Sequence, residues 1–133
     1  MKTISLAAFF LFAAVALGAF GAHALREQLA QREMVHTWDT AVLFHLLHGV
    51  ALLAIGIWSR LDASTAGSAG IKATIMLLAT GIFCFSGSLY ALSLGAPHWI
   101  GPVTPIGGLA FLAGWLTLAF STVRLSRKET ESG

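Results

Sequence analysis

The stretch TAVLFHLLHGVALLAIGIW, residues Thr40–Trp58, contains no Asp, Glu, Lys or Arg, and it decides the class of the chain. A helix that crosses about 30 Å of hydrocarbon at ~1.5 Å per residue needs about 20 mostly apolar residues, which is close to the length of this stretch. Three stretches of similar character are Ile4–Ala22, Lys72–Leu94 and Pro105–Val123. The sequence therefore predicts an all-α integral membrane bundle of four transmembrane helices.

The composition of the whole chain indicates the same class. Hydrophobic residues make up 56% of the 133 residues, charged residues 11%, and the mean hydropathy is +0.79. So few charges cannot coat a soluble domain of 14.0 kDa, and the expected partner is the lipid bilayer. The net charge of +2 is spread over single or paired basic residues at the ends of apolar runs, so no nucleic-acid partner is expected.

The connections between the spans predict one domain with a tail. Residues Leu25–Thr37 place Leu25, Leu29 and Arg32 on one helical stripe, which predicts a short interfacial helix between the first two spans. A solvated helical linker is the alternative. The predicted organisation is a single four-helix transmembrane domain over 1–124, with spans at about 4–22, 40–58, 72–94 and 105–123, and a short charged cytoplasmic tail over 125–133.

The first apolar run has a second interpretation, because Lys2 precedes it and the small-residue sequence Ala22-His23-Ala24 follows it. These are features of a secretory signal peptide with a cleavage site. The run Ile4–Ala22 is longer than the ~7–15 residues of a typical signal core, so we expect it to be retained as a membrane helix.

The distribution of Lys and Arg predicts the orientation. In a four-span arrangement the N-terminus, the second connection and the C-terminus share one side, and cytoplasmic sides carry the excess of basic residues. The opposite side holds only Arg26 and Arg32. We therefore expect both termini in the cytoplasm of a bacterial inner (plasma) membrane. The basic residues on the shared side are Lys2, Arg60, Lys72, Arg124, Arg127 and Lys128.

Histidine is the residue type that offers a chemical hypothesis, because ionisable groups inside a span are costly and are candidates for function. His45 and His48, spaced i and i+3, share a helix face, and His23 is expected at the same end of the bundle. Together they could bind zinc or copper. The alternative is that neutral histidines hydrogen-bond across helices and fix their register, and no cofactor is required.

A polar seam is predicted along the third span. Ser86 and Tyr90, spaced i and i+4, share a face, and Gly87 and Ser88 lie beside them. Together with His48 these groups could line a path for a small solute or a proton. Hydroxyls and glycines are also ordinary packing groups between membrane helices, and no Asp, Glu, Lys or Arg is expected near mid-membrane.

The start of the fourth span is marked by Thr104 and Pro105, which predict a capping hydroxyl followed by proline at the first helical position. Gly107 and Gly108 then leave the first turn without side chains. In the first span, Gly18 and Gly21 provide a similar bare face. Such glycines predict close packing of helices.

Four sequence motifs occur in an order that is typical of one family. They are GAFGAH at 18–23, WDTAV at 38–42, FSGSLY at 85–90 and GPVTPIGG at 101–108. With them the chain resembles the YgdD-like family of small membrane proteins, a domain of unknown function related to a eukaryotic transmembrane-protein family. The resemblance implies four helices in the bacterial inner membrane and no established activity.

The sequence favours a structural or accessory function. No nucleophile elbow, phosphate-binding loop, metalloprotease helix or intramembrane carboxylate pair is present, so an enzyme is not expected. The leading hypothesis is a protein that packs with itself as a homo-oligomer or with another membrane protein. The polar pathway and the histidine metal site are the alternatives.

Overall fold

The computed structural model describes residues 2–132, except the side chains of Ala63 and of residues 126–132. Within this part the chain is helical and contains no strand. The helices are α1 (Lys2–Ala22), α2 (Arg26–Gln31), α3 (Val35–Leu61), α4 (Ala63–Gly67), α5 (Ala69–Gly81), α6 (Gly87–Ser93) and α7 (Val103–Ser132); a π-helical turn spans Ile82–Ser86 and a 3-10 turn spans His98–Ile100.

Four of these helices are long and apolar enough to cross a membrane. Two of them are α1 and α3. The third consists of α5, the π-helical turn and α6 in one continuous run, Ala69–Ser93, called the third membrane helix below. The fourth is the region His98–Leu125, most of which is α7. The prediction of an all-α bundle of four transmembrane helices is confirmed.

The helix ends differ from the predicted span ends where side chains pack. Helix α3 begins at Val35, before the predicted start at Thr40. The reason is Trp38, which is 1% exposed and donates a hydrogen bond from its indole nitrogen to the carbonyl of Leu17, 3.0 Å away. The first turn of α3 is therefore already held against α1.

The last helix also departs from its predicted bounds. Because α7 begins at Val103, Thr104 lies inside the helix, and the prediction that it caps the helix is wrong. The backbone of α7 continues to Ser132, into the predicted tail at 125–133. Gly133 and the side chains of residues 126–132 lie outside the described residues.

The short helix predicted between the first two spans is present as α2. Its Leu29 is 1% exposed and belongs to a buried cluster with Trp38, Ala41 and Tyr90. Glu33 then adopts a left-handed backbone conformation with φ of 57°, which turns the chain toward α3. One face of α2 is thus part of the packed bundle.

The third membrane helix changes its neighbour at the π-helical turn. Before the turn, α5 packs chiefly against α7, and after it α6 packs chiefly against α3. A π-helical turn inserts one residue into the α-helical repeat and rotates the face that follows. Ile82–Ser86 therefore lets one helix hold two different partners.

Candidate functional site

The π-helical turn is held to α7 by a chain of two hydrogen bonds. The hydroxyl of Ser88 donates to the carbonyl of Phe85, 3.0 Å away, and lies 2.6 Å from the hydroxyl oxygen of Thr104. Because the Ser88 proton is used on Phe85, Thr104 donates to Ser88. The two hydroxyls thus satisfy a carbonyl within the turn and join the third membrane helix to α7.

Gly107 allows the two backbones to meet at the same place. A Cβ atom at Gly107 would overlap the backbone nitrogen of Phe85 and lie 2.7 Å from its Cα. At the next residue, Gly108, a Cβ would be 3.8 Å from the nearest atom of the Phe85 ring, an ordinary contact. The two glycines therefore differ: Gly107 is required by close packing, and Gly108 is not.

Both ring nitrogens of His48 are engaged, and its Nε2 joins α3 to α7. Its Nδ1 lies 2.8 Å from the carbonyl of Phe44, and its Nε2 accepts a hydrogen bond of 3.2 Å from the indole of Trp115. A carbonyl can only accept and an indole can only donate, so the imidazole is neutral with its proton on Nδ1. The ring also stacks on Phe111 with a centroid distance of 3.5 Å.

His45 faces a different neighbour. Its Nδ1 lies 3.3 Å from the hydroxyl of Tyr90 on α6, and the Tyr90 ring packs on Trp38 at a centroid distance of 4.8 Å. His45 is 5% exposed, and its Nε2 has no hydrogen-bond partner within the described part of the chain. The hydroxyl of Ser86, which is 0% exposed, also has none there.

An apolar cavity of about 630 Å³ opens between α3 and α7. Its lining includes Phe44 and His48 of α3 and Gly108, Phe111 and Trp115 of α7. Because both ring nitrogens of His48 are already engaged, the cavity presents aromatic carbon rather than free polar groups. Its chemistry suits hydrocarbon, such as a lipid chain.

Residues 17–108 match the family described as "Protein of unknown function (DUF423)". A UPF0382 membrane protein of Staphylococcus haemolyticus is 43% identical over 110 residues, which are 83% of this chain and 85% of that protein. The chain belongs to the DUF423 family.

Two further relatives are similar over most of the chain. The UPF0382 inner membrane protein YgdD of Escherichia coli is 38% identical over 118 residues, 88% of this chain and 86% of its own length. A UPF0382 membrane protein of Haemophilus influenzae is 37% identical over 124 residues, 92% and 94% of the two chains. No solved structure matches this chain. The relatives' names give a membrane location and no activity.

In this DUF423 chain the three histidines of the predicted metal site are not brought together. His23 is exposed, whereas His45 faces Tyr90 and His48 faces Trp115. Among the described residues no group of three or more His, Cys, Asp or Glu could hold a metal ion. The spacing of i and i+3 placed both histidines on one face of α3, but His45 meets α6 and His48 meets α7.

The glycines of this DUF423 chain have separate roles. A Cβ at Gly21 would overlap the indole of Trp38, and one at Gly18 would lie 3.3 Å from Val42. Both glycines therefore serve contacts between α1 and α3 inside the chain. Gly87 is exposed, and a Cβ there would meet no atom within 4 Å.

Sequence reasoning missed two members of the site. Trp115 was not among the predicted site residues, yet it donates to His48, which lies 67 residues earlier. The π-helical turn was not predicted at all. The one available signal for Trp115 is an indole N–H inside a membrane span, which needs an acceptor when buried.

Proposed function

We propose that this chain is a structural or accessory protein of the bacterial inner membrane that packs with itself or with another membrane subunit. The observation that carries the proposal is the use of the interior polar groups. His48 links α3 to α7, Thr104 and Ser88 link α7 to the third membrane helix, and His45 faces Tyr90. Contacts of this kind define how helices pack in a bilayer.

The outer surface of the bundle supports the same proposal. Large apolar side chains such as Phe12, Leu112 and Phe120 are exposed on the outside of the membrane helices. On the third membrane helix, Phe83 and Gly87 are exposed one turn apart. A bare glycine next to an aromatic side chain lets a second helix approach closely.

The test is replacement of Gly87 by leucine. Since a side chain at Gly87 meets nothing inside the chain, Gly87→Leu should leave the monomer folded and weaken assembly with the partner. Gly67→Leu is the matched control, because Gly67 also has open space around it but lies in α4, outside the four membrane-spanning helices. Oligomeric mass and co-purifying proteins are measured after extraction in native nanodiscs. Identical assembly in both variants would contradict the proposal.

The proposed orientation has both termini in the cytoplasm. Lys2, Arg60 and Lys72 line one surface depression at one end of the bundle, which supports an accumulation of positive charge on that side. The inner-membrane location is supported by the name of the Escherichia coli relative. Labelling of single cysteines from outside the cell, in a Cys84→Ser background, tests this orientation. A cysteine at Ser64 should stay protected, and one at Gln28 should react.

A second candidate function is a pathway for a small solute or a proton along the third membrane helix. It is favoured by His45 Nε2 and Ser86 Oγ, two buried polar atoms without partners in the described residues, because such atoms can bind a water molecule or a solute. The flux of protons or small solutes into proteoliposomes tests this pathway. Ser86→Ala and Tyr90→Phe should change the flux while the helix content remains the same. Unchanged flux in both variants would exclude this pathway.

A further inference from the structure

A second cavity lies at the end of the bundle that holds α2. Its volume is about 500 Å³, and three segments enclose it: the turn after α2, the start of α3 and the connection that follows α6. We call it the Arg32 cavity. The lining residues used below are Arg32, Met34, Thr37, Leu92, Gly95 and His98.

The end of α6 is shaped so that the Arg32 side chain fits against bare backbone. Gly95 has a φ of +96°, a conformation that residues with a side chain rarely adopt. Its N–H donates to the carbonyl of Leu92 at 3.0 Å, and the N–H of Ala96 donates to that of Ala91 at 2.9 Å, which is a Schellman motif. A Cβ at Gly95 would overlap the guanidinium of Arg32.

The side chain of Arg32 is exposed, and its guanidinium lies beside Gly95 without an acceptor from the described residues. Within the described residues it makes no hydrogen bond or ion pair, and no Asp or Glu lines the cavity. The carbonyls of Leu92 and Ala91 already accept from Gly95 and Ala96, so Arg32 does not cap them. Its five N–H donors therefore remain available to a ligand.

The rest of the lining indicates the chemistry of that ligand. His98 and Thr37 add polar groups to the guanidinium, whereas Met34 and Leu92 form an apolar wall. Trp99, next to His98, is 74% exposed at the helix end, where aromatic rings lie at the depth of lipid headgroups. A planar guanidinium fork matches the oxygen atoms of a phosphate.

We propose that the Arg32 cavity binds the phosphate group of an anionic phospholipid, with Arg32 as the principal ligand and the apolar wall against the glycerol and upper acyl chains. Anionic groups in this position would hold α2 and the connection after α6 to the membrane surface. The site is separate from the His48 and Ser88 contacts, so the proposal does not depend on the proposed function.

The test is native mass spectrometry of the full chain in detergent, titrated with phosphatidylglycerol. Arg32→Gln should weaken the tightest lipid binding about tenfold or more, since hydrogen bonds to charged groups are stronger than those between neutral groups. Arg32→Lys, which keeps the charge without the fork, should show an intermediate loss. Arg26→Gln removes the other exposed arginine at the same end, which does not line the cavity, and this variant should bind as the wild type does.

Each outcome is decisive when circular dichroism shows that the variants keep the wild-type helix content. Equal loss in Arg32→Gln and Arg26→Gln would overturn the proposal, because the lipid would then respond only to net charge. Inorganic phosphate is titrated in parallel. If phosphate binds with the same dependence on Arg32 and phosphatidylglycerol does not, the lipid is ruled out and the site takes a free anion.

Discussion

Replacement of Gly107 by alanine should separate the third membrane helix from α7. The new Cβ would overlap the Phe85 nitrogen and lie 2.7 Å from the Cα of Phe85 and 2.8 Å from the carbonyl carbon of Cys84. Ordinary contacts between carbon atoms are ~3.5–4.0 Å. Since all three neighbours are backbone atoms, no side-chain rotation can relieve the overlap, and the two helices must move apart by on the order of 1 Å.

The expected change in the free energy of unfolding is the sum of two losses and one gain. Overpacking costs about 1–3 kcal/mol. Separation also stretches the hydrogen bond of 2.6 Å between Ser88 and Thr104, and bonds of this kind average about 0.6 kcal/mol in membrane proteins. Alanine in place of glycine returns up to about 1 kcal/mol of helix propensity. We therefore expect a net loss of about 2 kcal/mol in the free energy of unfolding.

Gly108→Ala is the matched control, because it adds the same methyl group one residue later. Its Cβ would be 3.8 Å from the Phe85 ring, so the variant should be as stable as the wild type or up to about 1 kcal/mol more stable. Reversible unfolding in mixed micelles of mild detergent and dodecyl sulfate, followed by tryptophan fluorescence, measures both. Equal stability of the two variants would refute the close backbone contact.

Two further predictions concern hydrogen bonds. Trp115→Phe removes the indole donor to His48 and leaves a buried nitrogen unpaired, so it should lower the free energy of unfolding by about 1 kcal/mol in the same assay; a wild-type value would contradict the assigned bond. Hydrogen bonds from Thr65 and Ser64 hold the pKa of Asp62 below its ordinary value. Its contribution to the stability of α4 is therefore complete above the ordinary aspartate pKa of about 3.9, and is lost as the pH falls through the lower pKa of the folded state. Carboxyl carbon shifts in a pH titration measure this, and a midpoint at or above the ordinary value would show that the bonds are absent.

The class of the fold follows from the sequence because it depends on sums over long stretches. A span such as Thr40–Trp58 is apolar whichever way it faces, and the bilayer imposes its length. The short helix α2 is similarly recognisable, since the periodic Leu25 and Leu29 precede the next span. These features require no knowledge of which helices are neighbours.

The contacts of the site depend on neighbours and could not be derived in this way. Gly107 and Gly108 are equivalent in the sequence, and only the rotation of α7 makes one of them touch Phe85. His48 and Trp115 are 67 residues apart, so their pairing is a property of the bundle. The spacing of His45 and His48 predicts one shared face of α3, but that face meets α6 at His45 and α7 at His48.

The π-helical turn also gives the chain one residue more than a regular helix with the same contacts would need. If Ile82–Ser86 formed a regular α-helix with no residue removed, everything beyond it would turn by about 100°. Tyr90 and Ser88 would then point away from α3 and α7, although every side chain would still be present. Deleting one residue within the turn would instead restore a regular helix with the same faces beyond it, so comparisons of relatives should treat a gap of one residue here as compatible with the same architecture.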